Sequence, residues 1–172
     1  MGVGVACVAC GGASSQGPVV GASQASGGAR SSQTGDGGAV TSGPPLTPVA
    51  MDFRTTMTKA STSRFPSRGH AGGRWDVDVY ADKSGLDALR NEHATVPVGT
   101  RFAEEHFERS DGGAGPVMMM EKRPPGFDAA RGDWRYTAIN AKGEVVRDGI
   151  VESCAGCHGE APGDHLFRLE SE

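Results

Sequence analysis

The sequence predicts a mainly β fold of the α+β class: an antiparallel β-sheet domain with one or two short helices, behind a disordered N-terminal tether. Three observations carry the fold. Aromatic residues and charges become frequent only near Asp52. From Trp75 onward, short stretches alternate apolar and polar residues at the two-residue period of a strand. Turn residues separate these stretches, and no long helical period runs through them.

The elements follow in order. Residues 1–9 are small and apolar and precede Cys10, Gly11 and Gly12. This pattern resembles a truncated lipoprotein signal, with Cys10 as the lipidated residue, although Cys7 stands where Leu is usual and no positively charged n-region precedes it. The alternative is a plain Ala/Gly-rich start. Residues 10–50 are rich in Gly, Ser, Ala, Gln, Thr and Pro, with Arg30 and Asp36 as the charges. So little apolar surface does not offset ordering entropy, and a flexible linker is expected. Residues 51–172 form the folded domain. Trp75, Val77 and Val79 alternate with Asp76, Asp78 and Tyr80, a half-buried strand. Leu86 and Leu89, after a cap at Asp82 or Ser84, predict a short helix. Gly99–Glu108 reads as a strand, with Phe102, Glu104 and His106 on one face and Arg101, Ala103, Glu105 and Phe107 on the other. Pro116–Lys122 reads as another, stopped by Pro124-Pro125-Gly126. Trp134–Ile139 and Glu144–Arg147 predict a hairpin across Asn140-Ala141-Lys142-Gly143. A short helix is expected from Asp148 into the last cysteine pair. The acidic residues between 76 and 111 read as solvated faces.

Composition narrows the function. The 172 residues carry a net charge of -4 and a pI near 5.7, which lacks the basic footprint of a nucleic-acid binder. No apolar run reaches membrane-spanning length. The four cysteines form two pairs, Cys7 with Cys10 and Cys154 with Cys157. A disulfide over three residues is a redox-active loop and a poor staple. A four-cysteine zinc site would have to join the pairs across the whole linker.

Cys154-Ala155-Gly156-Cys157-His158 matches C-x-x-C-H, the attachment pattern of c-type haem. Two thiols three residues apart reach the two vinyl groups of one porphyrin, and the adjacent imidazole is aimed at iron. Its other ring nitrogen then needs an acceptor to fix the ring. With four Cys and five His in 172 residues, the pattern arises by chance roughly three times in a thousand such chains. The rival is a redox C-x-x-C that happens to precede His, but no βαβ pattern surrounds it. Gly11 follows Cys10, so the first pair is not a second haem motif. The motif lies late in the chain. Small electron-transfer cytochromes c carry it early, and the four-helix cytochromes c′ carry it late but need long helices, which the Pro and Gly content opposes.

A β-rich domain with a late haem motif resembles the cytochrome P-460 family, which includes the cytochromes c′-beta. The resemblance spans roughly residues 75–167. It rests on Val79-Tyr80-Ala81-Asp82, Gly99-Thr100 with Glu105, Met120-Glu121-Lys122, Gly132-Asp133-Trp134, the haem motif, and Asp164-His165-Leu166-Phe167. It implies an antiparallel β fold, often dimeric, with one covalent haem c on a sheet face and His158 as proximal iron ligand. Members bearing the P-460 cofactor oxidise hydroxylamine with a haem-cross-linked Lys. Glu104 stands where that Lys is expected, and Met118 stands where a distal carboxylate is expected. Lys122 matches a different family Lys, and its ordinary reading is a surface charge.

For the other side of the iron, Met118 and Met120 share a strand face and Met119 points away. Met118 is a candidate sixth ligand, suited to electron transfer; its ordinary reading is flexible packing. Phe102 and Phe107 are candidate apolar caps that would favour a small neutral gas, or else plain core. Glu104 is a candidate proton-transfer group, or a solvated carboxylate. His106 is a candidate ligand, though an exposed strand histidine is the usual case. His70, His93 and His165 receive no role, and Trp134 reads as core or haem-edge packing. The expectation is a single-haem c-type cytochrome serving electron transfer or nitric oxide binding, with a redox partner protein or a small gas as its partner and no nucleic acid. It would sit on the periplasmic side of the cell envelope. The alternatives are an oxidoreductase acting on hydroxylamine or another small nitrogen compound, and a non-haem C-x-x-C redox or metal-binding lipoprotein.

Overall fold

The computed structural model describes residues 51–67, 69–91 and 95–169, except the side chains of residues 71 and 72. The expected signal with Cys7 and Cys10, the linker at 10–50, and His93 lie outside the described residues. The chain forms a mainly antiparallel β structure with a few short helices. Its elements are α1 (Phe53–Thr56), β1 (Thr58–Lys59), β2 (Phe65–Pro66), β3 (Trp75–Ala81), α2 (Lys83–Arg90), β4 (Arg101–Glu108), β5 (Ala114–Lys122), β6 (Trp134–Ile139), β7 (Val145–Gly149) and α3 (Glu152–His158). Single 3-10 turns occupy His70–Gly73 and Ala129–Arg131. The seven strands make one sheet in the order β1-β3-β4-β5-β6-β7, with β2 also paired to β3. From β3 on, strands adjacent in the chain are adjacent in the sheet, so the body is a meander.

Cross-strand register sorts the side chains onto two faces. Val79 on β3, Glu104 on β4, Met118 on β5 and Ala138 on β6 lie abreast. Their face also carries Ala81, Phe102, Met120 and Tyr136 in the next row. There Ala81, Phe102, Met120, Trp134 and Tyr136 are buried with Ala88 of α2, Ala155 of α3 and Leu166. The other face packs Ala103, Val117, Met119 and Ile139 against Phe53 of α1 and Met57 just after it. Both faces carry packed side chains, and the half-buried reading of β3 needs correction. Asp78 is buried, bonded to Lys59 at 2.9 Å and Arg64 at 3.3 Å. Glu105 is buried too, paired with Arg54 and Tyr80. Short alternation cannot tell a solvated carboxylate from one whose counter-ion comes from a distant segment, and burial is tolerated because the charge is paired.

α2 starts where the sequence supplies a cap. Asp82 Oδ1 accepts from the Gly85 backbone at 2.9 Å, and Oδ2 accepts from Arg101 N at 2.9 Å, tying the helix to β4. Gly85 is the contact point: a Cβ there would lie 2.9 Å from both Ala81 Cβ and the Phe102 ring. β5 bends at Pro116, which has no N–H for the ladder. Between Glu105–Val117 and Phe107–Ala114 the register shifts, so His106 faces the Gly115–Pro116 bulge. The final helix begins later than expected. Asp148 belongs to β7, where Arg135 Nε and Nη2 each donate to its carboxylate at 2.7 Å, and α3 starts at Glu152. Among the described residues, no helix is long and apolar enough to cross a membrane.

Candidate functional site

α3 lays the cysteine motif over the β6 end of the first face. The His158 ring rests against Tyr136 and Phe167, at 5.3 and 5.4 Å between centroids. Its Nδ1 lies 3.0 Å from the His165 carbonyl, which can only accept, so Nδ1 donates. The lone pair of the neutral ring is then on Nε2. Burial, the largest influence, holds His158 below the usual imidazole range. Cys154 and Cys157 are half-buried and not joined by a disulfide. Burial pushes the Cys154 thiol up, eased by a hydrogen bond with Ser153. Tyr136 is pushed up as well, by burial first and then by Cys154, and its hydroxyl is buried without a hydrogen-bond partner.

The loop that supplies the His165 carbonyl is unusual. Gly163, Asp164 and His165 all have left-handed backbones, at φ of 74°, 49° and 57°. Non-glycine residues take this conformation at a cost unless their surroundings fix it. Here Asp164 pairs with Lys122 and accepts from Val96 N at 2.7 Å, while its carbonyl accepts from Trp134 Nε1 at 3.0 Å. Lys122 Nζ also donates to Gly132 O at 2.8 Å. Lys122 is therefore a buried anchor, and its reading as a surface charge is corrected.

A second constellation occupies the β4 end of this face. Glu104 and His106, two residues apart on one strand, meet His70 from the turn before β3. His70 Nδ1 lies 2.9 Å from Glu104 Oε2 and 3.0 Å from His106 Nε2; the last two atoms are 3.7 Å apart. His106 is 0% exposed, which corrects the expectation of a solvated strand histidine. Its Nδ1 lies 3.0 Å from the Pro116 carbonyl at the bulge, so Nδ1 donates and Nε2 faces the cluster. Burial pushes Glu104 up, but the hydrogen bond and charge of His70 prevail and hold its carboxyl below the usual range. Burial likewise lowers His70, and its bond to Glu104 reverses this to a net rise. His106 is held down by burial and then by the charge of His70. His158 lies within electrostatic reach of both Glu104 and His70.

No family model and no curated protein matches the chain.

The other expected residues divide between the faces. Met118 stands directly beside Glu104 and is partly exposed. Phe102 is buried in the core beneath α2 and beside Trp134, at 6.1 Å between centroids. Phe107 is on the opposite face, with the Arg64 guanidinium 3.2 Å above its ring, so it does not cap a group on the His158 side. His70 escaped the sequence reading because its partners are 34 and 36 residues away with no motif spacing. The Asp164 loop lay inside a recognised stretch, but nothing local assigns it to His158.

Proposed function

We propose that this chain is a single-haem c-type cytochrome, exported to the periplasmic side of the cell envelope, that transfers electrons or binds a small neutral gas such as nitric oxide at iron. One observation carries the reading: the imidazole next to Cys157 has its Nδ1 committed to a backbone carbonyl, which leaves Nε2 as its ligating atom. Haem would supply a redox-active iron that can bind small ligands. Cys154 and Cys157 would hold it, three apart on one helix and not cross-linked to each other. Phe167, 41% exposed beside His158, and Ile150, 49% exposed just before α3, offer apolar surface of the kind a porphyrin covers.

The residues count against the alternatives. A redox C-x-x-C works through a depressed thiol, whereas burial pushes Cys154 up. The carboxylate of Glu104 lacks the amine that a haem–lysine cross-link needs, which weighs against hydroxylamine oxidation.

The test is expression of the full chain in a host with cytochrome maturation machinery. The expected product stains for haem on a denaturing gel, gains the mass of one haem and shows a c-type reduced spectrum that responds to nitric oxide. Replacing Cys154 and Cys157 by Ala abolishes the covalent stain. A colourless product at the bare polypeptide mass refutes the proposal, and steady-state turnover of hydroxylamine with an artificial acceptor would favour the oxidoreductase instead.

A further inference from the structure

We propose that His70, Glu104 and His106 bind a divalent first-row transition-metal ion, with His70 Nδ1, His106 Nε2 and a Glu104 carboxylate oxygen as ligands. Two imidazoles and one carboxylate are a donor set typical of zinc and non-haem iron(II). The three facing atoms are 2.9, 3.0 and 3.7 Å apart. Tetrahedral zinc with bonds near 2.0–2.1 Å holds its ligands about 3.3 Å apart, so these distances bracket what such an ion requires.

Donor accounting points the same way. The Pro116 carbonyl takes the proton on His106 Nδ1, so Nε2 presents a lone pair. Glu104 is an acceptor when ionised. His70 Nδ1 can offer one N–H at most, and it faces both acceptors. Three potential donor atoms thus converge with at most one proton among them, an arrangement a cation satisfies more fully than a shared hydrogen bond does.

The frame is built for orientation. Glu104 and His106 share a face because they lie two apart on β4. The bulge forced by Pro116 supplies the outer partner that fixes the His106 tautomer. Trp75 stands edge-on to the His106 ring at 6.3 Å between centroids. His70 N is held at 3.3 Å from Ser67 Oγ. The ion would not be sealed in: the His70 and Glu104 side chains are 32% and 36% exposed, leaving coordination positions open to water or a small ligand. None of this depends on haem.

The experiment is zinc loading of the full chain, then dialysis against metal-free buffer and metal analysis. Wild type is expected to retain one zinc per chain, whether or not haem is attached. His70→Ala and Glu104→Gln should each weaken zinc binding by roughly tenfold or more, and together abolish retention. Both residues are partly exposed, so the folded state should survive, as far-UV circular dichroism would register. The Cys154→Ala/Cys157→Ala variant should keep its zinc, and X-ray absorption should find nitrogen and oxygen neighbours but no sulfur. Failure of wild type to retain zinc overturns the proposal. So does retention by the His70/Glu104 double variant, or loss of zinc with the cysteines. Haem attachment is untouched by these outcomes, so the two proposals fail separately.

Discussion

Lys122 and Met118 show how far a single residue is legible in sequence. An isolated Lys on an alternating strand looks like a solvated charge. Here its ammonium lies over the Trp134 ring, 5.0 Å from the centroid, and joins Asp164 and the Gly132 carbonyl beneath the protein surface. Removing one partner from a buried pair leaves the other charge uncompensated, at roughly 3–5 kcal/mol. Lys122→Met is expected to lose that much in urea unfolding, and Lys122→Met combined with Asp164→Asn, which keeps an acceptor for Val96 N and tolerates the left-handed backbone, to recover part of it. If the double variant is no more stable than the single, the pair is not what holds the loop. Met118 is placed by its strand period on the His158 face, as its sequence position implies. As a sixth ligand it would raise the reduction potential. Met118→Ala in the haem-loaded protein should then lower the potential and alter the reduced spectrum; unchanged values remove the thioether from the iron.

At the scale of elements, the strands were legible and their partners were not. β3, β4, β5 and β6 lie within two residues of the alternation that predicts them, because a strand writes its own period. Helix α3 begins four residues later than expected, because Asp148 is retained by β7 through side chains of β6. Thr137 Oγ1 adds a third bond to the Asp148 carboxylate at 2.9 Å. Burial pushes that carboxyl up, but the Arg135 and Thr137 hydrogen bonds and the Arg135 charge outweigh it and hold it below the ordinary aspartate range. A carboxyl with a depressed folded-state pKa contributes stability above its unfolded pKa and loses it as pH falls through the folded value. The β6–β7 contribution should therefore be complete at neutral pH and fade below about pH 4. Asp148→Asn is expected to be less stable than wild type at pH 7, with the gap narrowing toward pH 2 in thermal melts. A gap independent of pH would assign the effect to packing. Asp148 is more exposed than either partner of the Lys122–Asp164 pair, so solvent screens it more and its contribution is smaller.

For the molecule as a whole, the sequence carries the fold class well and the site in part. The antiparallel sheet and its short helices follow from alternation, turns and one capped helix. The C-x-x-C-H motif is contiguous, so its residues are legible in the sequence. The histidine–glutamate cluster is not: β4 supplies two members, and the third comes from the turn before β3. Such a site exists only after the β3–β4 pairing has formed. Covering both sheet faces is also a long-range outcome. α1 packs on one face and α2 with α3 on the other, while Asp78, Glu105 and His106 are buried with partners from distant segments: Lys59 and Arg64, Arg54, and His70 respectively.

The carbonyl that steers His158 belongs to a residue seven positions later in the chain. On the ribosome, the cysteines and the imidazole are therefore made before the group that aims them. The Asp164 turn, held by Lys122 and Trp134, is what places that carbonyl. A chain cut just past the motif would therefore keep both thiols and the imidazole while losing the carbonyl that orients the ring.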